Sequence, residues 1–277
     1  MNIGKIRRIA SVLAAVLLLG SITAPSGAFV RPGGWVKQID LLANGKQPPH
    51  DSCPGQAISG NGRFVAFASR SDGYVSRDTN LGCDIFVRDL RTGEIERVDV
   101  SSAGDQALGP DDQGAATKIT LARNPSISAS GRYVAFISNA VNLVPNDTNL
   151  SEDVFVHDRA RGTTERVSIA TDGSQAEIPL ASVTNLGTAG DGAPSISDDG
   201  RYVAFRHLAK NLDPTKTYED PAGAAVGYVY VRDREQRKTE LVSVATDQSV
   251  ALPGYSPSIS ADGRYVSFTS QGDYGFE

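Results

Sequence analysis

Two short stretches carry oxygen ligands at matched spacing. Asp78-Thr79-Asn80-Leu81-Gly82-Cys83-Asp84 and Asp147-Thr148-Asn149-Leu150-Ser151-Glu152-Asp153 share the pattern Asp-x-Asn-x-x-x-Asp. Asp78, Asn80 and Asp84, and likewise Asp147, Asn149 and Asp153, therefore offer carboxylate and amide oxygens at the first, third and seventh positions. Calcium accepts irregular oxygen sets completed by backbone carbonyls and water, which makes it the candidate cofactor. Neither loop has the central glycine or the terminal glutamate of an EF-hand. The competing chemistry is local: Asp and Asn side chains close Asx-turns and tie a loop to itself. The corresponding stretch Asn211-Leu212-Asp213-Pro214 has lost the pattern.

A catalytic reading finds little to start from. The three histidines are His50, His157, at a position held by Arg88 and Arg232 elsewhere, and His207; none has metal-ligand spacing. There is no Gly-x-Ser-x-Gly elbow and no glycine loop of the phosphate-cradling kind. An active site would have to converge from several loops, a geometry that leaves no local motif. A second recurrent set is Arg63, Arg132 and Arg201 with Asp89, Asp158 and Asp233. Charges repeated in every unit suit assembly better than a single active site, and an arginine–carboxylate fork is geometrically specific.

These residues are positioned by a repeat. Pro125-Ser126-Ile127-Ser128-Ala129-Ser130-Gly131-Arg132-Tyr133-Val134-Ala135-Phe136 returns, with small changes, at 56–67, 194–205 and 257–268. The glycines Gly62, Gly131, Gly200 and Gly263 lie 69, 69 and 63 residues apart, and repetition at a fixed period decides architecture first. Taking the second unit as type, strand a is expected at 126–128, b at 133–138, c at 154–158 and d at 165–169. Runs such as Tyr-Val-Ala-Phe and Asp-Val-Phe-Val are β-branched, aromatic and apolar on both faces, as in strands covered on both sides. Four antiparallel strands stacked between like neighbours make a propeller blade. The expected fold is all-β, a β-propeller with three complete blades, at about 56–100, 125–169 and 194–244, and a partial fourth at 257–277. Antiparallel pairing sets the start of b beside the end of c, so each blade should hold one Arg–Asp contact.

The string Pro-Ser-Ile-Ser-x-x-Gly-Arg-Tyr-Val-Ala-Phe, followed by Asp-Val-Phe-Val-x-Asp-Arg and Thr-Glu-Arg-Val-Ser, resembles the TolB-type, WD-repeat-like propeller repeat of bacterial exported proteins. The resemblance covers nearly all of the chain after its leader and implies blade architecture; such blades serve as binding platforms and as domains ahead of peptidases. Gln56 replaces the repeat proline, Arg237 replaces the turn glycine of Gly93 and Gly162, and the fourth copy stops after strand b.

Residues 1–28 read as an export signal: Lys5, Arg7 and Arg8, an apolar run from Ile9 to Gly20, then Ser26-Gly27-Ala28. The run is too short for a comfortable membrane span. The whole chain carries 27 Lys and Arg against 32 Asp and Glu, a net charge of −5, and losing the basic leader makes it more acidic still. That argues against a nucleic-acid partner, which needs a basic face. Cys53 and Cys83, in the first repeat of an exported chain, are expected to form a disulfide. Residues 36–42 align with a strand d and are expected to complete the partial blade at 257–277.

The a–b and c–d turns are short, whereas the b–c and d–a connections are long and share the other face of the disc. Long loops inside compact domains are usually functional. Two functions follow: an exported module binding a protein or glycan on the long-loop face, or a hydrolase or lyase using acidic residues at the propeller centre. A partial last blade leaves an open sheet edge, so self-association through it and an incomplete reading frame are both expected.

Overall fold

A computed structural model of the chain describes residues 38–42, 44–48, 52–80, 82–110, 116–117, 120–177, 192–218, 226–245 and 250–270. Residues 1–28, expected above to be an export signal, and His50 lie outside the described residues.

Three four-stranded antiparallel sheets follow one another. The first is β1 (Ser52–Ile58), β2 (Phe64–Ser69), β3 (Asp84–Asp89) and β4 (Ile95–Arg97), followed by a short pair, β5 (Gly109–Pro110) and β6 (Ala116–Thr117). The second is β7 (Ala122–Ile127), β8 (Tyr133–Ser138), β9 (Asp153–Asp158) and β10 (Thr163–Arg166). The third is β11 (Ser195–Ile196), β12 (Tyr202–His207), β14 (Tyr228–Asp233) and β15 (Lys238–Leu241); β13 (Thr217–Tyr218) lies in its b–c loop and pairs in parallel with β16 (Val250–Ala251). A two-stranded sheet, β17 (Tyr255–Ile259) and β18 (Val266–Thr269), is the partial fourth blade. The chain is an all-β propeller-type fold.

The repeat string is explained by the a–b turn. Ser59, Ser128, Ser197 and Ser260 each accept, on Oγ, the backbone N–H of the aromatic residue five positions on, at 3.0 Å. The glycine between them closes the turn at positive φ, from 68° to 78°, where a side chain is strained. At the c–d turn on the same face Arg237 takes φ 55° in place of glycine, a left-handed conformation that costs about 1 kcal/mol for an ordinary residue.

Strands b and c pair over six residues in each complete blade, with Phe64 opposite Asp89, Tyr133 opposite Asp158 and Tyr202 opposite Asp233. This register places the preceding arginine against the aspartate. Arg132 Nε and Nη2 reach Asp158 at 2.8 and 2.7 Å, and the Arg63–Asp89 and Arg201–Asp233 pairs repeat the fork with 2.6 Å contacts. Hydrogen bonding from Arg63 holds the Asp89 carboxyl down at about 2.

The outer strands differ from the sequence expectation. Strand d is Thr163–Arg166, because from Ser168 the hydroxyl takes the Val154 N–H at 2.9 Å and the chain leaves the ladder for a hairpin closed by Ala170 N and Ser174 O. Strand a begins at Ala122, its register breaking between Arg123 and Ser126. Pro125 has no N–H for a ladder and belongs at such a bulge.

The core lies between blades. Ala66, Ile85 and Val87 pack with Ile127, Val134 and Phe136; Ala135, Val154 and Val156 pack with Ile196, Val203 and Tyr230. Residues 38–42 form no ladder. Arg88 Nη1 donates to the Ile39 and Leu41 carbonyls at 3.1 and 2.6 Å, and Ile39 and Leu42 pack on Phe67, Tyr74 and Phe86 of the first blade.

Cys53 and Cys83 are joined, with a Cα–Cα distance of 6.0 Å. Cys83 also donates its N–H to Thr120 O at 3.0 Å and accepts from Ala122 N at 2.9 Å, so the bridge ties the first blade to the start of the second. The bond closes a sequence separation of 30 residues. Replacing both cysteines by serine is expected to lower unfolding free energy by about 3–4 kcal/mol in the chain-entropy model, read from urea denaturation under non-reducing conditions.

Candidate functional site

The two Asp-x-Asn-x-x-x-Asp loops lead into β3 and β9 on the long-loop face. Each is gathered round an arginine from strand d. In the second blade Arg166 Nη1 contacts Asp147 Oδ1 at 2.8 Å, Asp153 Oδ2 at 3.1 Å and Gln175 Oε1 at 3.2 Å. Asn149 Nδ2 donates to Asp153 Oδ2 at 3.1 Å and to Ala176 O at 3.2 Å. In the first blade Arg97 Nη1 contacts Asp78 Oδ1 at 2.9 Å and Gln106 Oε1 at 3.2 Å, and Asn80 Nδ2 donates to Asp84 Oδ1 at 2.7 Å. Thr79 and Thr148 complete the loops through Gln106 and Gln175.

A calcium ion here would take the place of the arginine; Asp78 Oδ2 and Asn80 Oδ1 are buried without a hydrogen-bond partner among the described residues. The asparagine amides turn N–H groups toward the aspartates, and the cation among the carboxylates is a guanidinium. Among the described residues no three His, Cys, Asp or Glu side chains converge as a metal would require. The third blade gives an internal control. Its strand-d residue at the place of Arg166 is Leu241, and Tyr228 stands at the place of Asp153. Arginine and carboxylates disappear together, and Asp213 instead accepts the Leu241 N–H at 3.0 Å.

Burial, and after it the charge of Asp153, pushes the Asp147 carboxyl up to about 7 against the pull of Arg166. Burial and the neighbouring Asp84 raise Asp78 to about 6. In the first blade Asp99 occupies the place of Ser168 and accepts the Ile85 N–H at 3.0 Å. Burial, then the charge of Asp84, holds Asp99 well above the carboxylate range.

The two described histidines, His157 and His207, bond to neighbouring framework groups. His157 Nδ1 lies 2.9 Å from Thr164 Oγ1, joining strands c and d, where Arg232 makes the same link to Thr239 at 3.0 Å. His207 is fully buried and accepts the Ala209 N–H on Nδ1 at 3.0 Å. Burial lowers both below the ordinary imidazole value.

Sequence reasoning missed three partners: Arg97 and Arg166, Gln106 and Gln175, and Asn142 and Asn211. Asn142 accepts the Leu108 N–H at 2.8 Å and donates to Gln106 O at 2.9 Å. Asn211 repeats this with Glu177 N and Gln175 O, both at 2.9 Å. Each pair recurs at the 69-residue period, which was the available signal. Each asparagine staples the d–a loop of one blade to the b–c loop of the next.

The fold has relatives among solved structures. TolB from Acinetobacter baumannii aligns with a TM-score of 0.41 at 17% identity, over 80% of this chain and 38% of that one. Putative TolB from Agrobacterium tumefaciens gives 0.41 at 16%, over 80% and 60%, and Porphyromonas gingivalis dipeptidyl peptidase 4 gives 0.43 at 14%, over 86% and 32%. The chain spans less than two thirds of the length of each of these proteins. No family model and no curated protein matches the sequence.

Two outcomes test the arginine-centred clusters. A carboxyl whose folded value lies above its unfolded value of about 3.9 contributes fully below that pH and loses its contribution as pH rises through the folded value. Wild type should therefore lose stability between about pH 4 and pH 7 in part through Asp147, and Asp147→Asn should flatten that loss by on the order of 1–2 kcal/mol, read from denaturation at stepped pH. Melting temperature should also be the same in chelator and in excess calcium. A calcium-dependent rise, about 2.7 kcal/mol at a hundredfold excess over Kd, that Asp147→Ala with Asp153→Ala abolishes would return the loops to metal binding.

Proposed function

We propose that the chain is an exported binding module whose ligand, a protein or a glycan, sits on the face built by the b–c and d–a loops. The stapling of those loops by Asn142 and Asn211 carries this reading. A surface held in place before contact avoids the ordering cost that flexible loops meet on binding. Leu150, 48% exposed at φ 54°, presents an apolar side chain from the same face. Asp78, Asp147 and Asp153 are engaged by Arg97 and Arg166, which speaks for binding over acid–base chemistry by these carboxylates. The disulfide and the leader-like N-terminus support export. Among the described residues no helix is long and apolar enough to cross a membrane.

Labelled protein should bind isolated cell envelopes saturably, with protease or periodate treatment of the envelopes telling a protein ligand from a glycan. Leu150→Ser and Asn211→Ala should each weaken binding about tenfold, an interface-residue effect near 1.4 kcal/mol. Arg161→Ala, in a c–d turn on the opposite face, should leave it unchanged. Loss confined to Arg161→Ala, or no saturable binding, would refute the assignment.

A further inference from the structure

The turn that follows strand b is closed in the same way in all three complete blades, with one exchange of side chain. In the first blade Ser69 Oγ accepts the Ser71 N–H at 3.2 Å, and in the second Ser138 Oγ accepts the Ala140 N–H at 3.1 Å. In the third blade the serine is replaced by His207, whose Nδ1 accepts the Ala209 N–H at 3.0 Å. A hydroxyl accepts at any ordinary pH. An imidazole nitrogen accepts only while it carries no proton, so this bond fixes the neutral ring with its proton on Nε2.

Protonation of Nδ1 would set two N–H donors against each other in a closed space. His207 is fully buried, as are Ala209 and Leu212 beyond it, and Tyr228 lies opposite it in the ladder. Asp153 and the Glu152 backbone of the second blade favour a charged ring, while Arg206 and Arg166 oppose one. Burial is the largest effect and holds the ring below the ordinary imidazole value. The closed turn therefore favours the neutral form and loses stability as pH falls below about 6.5.

The same turn anchors the long-loop face. Ala209 O accepts the Tyr230 hydroxyl at 2.6 Å, and two residues on, Asn211 accepts the Glu177 N–H and donates to Gln175 O, both at 2.9 Å. Gln175 in turn reaches Arg166 at 3.2 Å and Thr148 Oγ1 at 2.6 Å. Displacing Ala209 thus unfastens the d–a loop of the second blade as well as the b–c loop of the third. The matching contact one junction earlier, Asn142 with Leu108 N and Gln106 O, follows a turn closed by serine and has no such dependence.

We propose that His207 is an acid-sensitive latch on the long-loop face: a proton on Nδ1 expels the Ala209 N–H, and the turn at 207–212 opens together with its Asn211 contact to the second blade. At neutral pH the latch is shut. Release of a bound protein or glycan in acid rests on the reading that this face binds; the opening itself does not.

Amide hydrogen exchange of the full chain, corrected for the intrinsic rate at each pH, tests the latch. From pH 7 to pH 5, protection over 207–213 and 175–177 should fall about tenfold, as expected of a ring that takes up its proton near 6.5 only once the turn is open. The serine-closed turn at 138–142 should keep its protection. His207→Ser, which restores the residue of the other blades, should hold 207–213 equally at both pH values. His207→Gln, with an acceptor that does not titrate, takes its place if His207→Ser fails to melt cooperatively. Equal wild-type protection at the two pH values, a fall shared by 138–142, or a fall that persists in the variant would each overturn the latch. Binding to cell envelopes should weaken about tenfold over the same step in wild type and hold constant in the variant. Binding that ignores pH while exchange follows it would count against the loop-face reading and leave the latch standing.

Discussion

The contact on which the arc depends is an aromatic ring laid on a glycine. Each blade places Phe64, Tyr133 or Tyr202 against the next a–b turn, and the approach is too close for any side chain at Gly131, Gly200 or Gly263. Ring, turn and the buried isoleucine beside it fix how one sheet sits on the next, and the β-branched and aromatic residues of strands b and c then fill the space between. The turn glycine therefore answers two demands, the left-handed φ of a tight turn and a neighbour's ring.

Charge is distributed by depth. The Arg–Asp forks at the outer end of strands b and c keep their arginines partly exposed, with Arg63 and Arg132 at 40 and 36%, and hydrogen bonding holds Asp89 and Asp158 below the usual carboxylate range. The clusters at the other end of the same strands are buried and carry more carboxylates than guanidinium groups, so Asp78 and Asp147 are pushed up instead. One residue pair type thus gives opposite proton affinities, because burial penalises the anion and a second aspartate, Asp84 or Asp153, lies close by.

The loops inherit their order from these clusters. Gln106 and Gln175 join the arginine to a threonine of the b–c loop, while their own backbone carbonyls accept from Asn142 and Asn211 on the next blade. The long-loop face is stitched across blades by side chains, and the first blade adds the covalent tie of Cys53 to Cys83. A face so fixed is suited to recognition, and its rigidity comes from the same polar residues that a search for catalytic groups would single out.

The sequence alone determined the blade architecture, the six-residue pairing of strands b and c and the three Arg–Asp forks. All follow from short-range alternation and from antiparallel pairing, which places Arg132 beside Asp158 whatever the rest of the molecule does. Only the tertiary structure decided what surrounds the Asp-x-Asn-x-x-x-Asp loops. Asp147 and Arg166 are 19 residues apart, on a loop and a strand that only the folded sheet brings together, and a ligand pattern read along the chain does not reveal a cation arriving from the side. The edges of strands a and d were misplaced for the same reason: Pro125 sits at a bulge beyond which strand a runs back to Ala122, and Ser168 ends the strand-d ladder through a hydroxyl bond, against the apolar pattern.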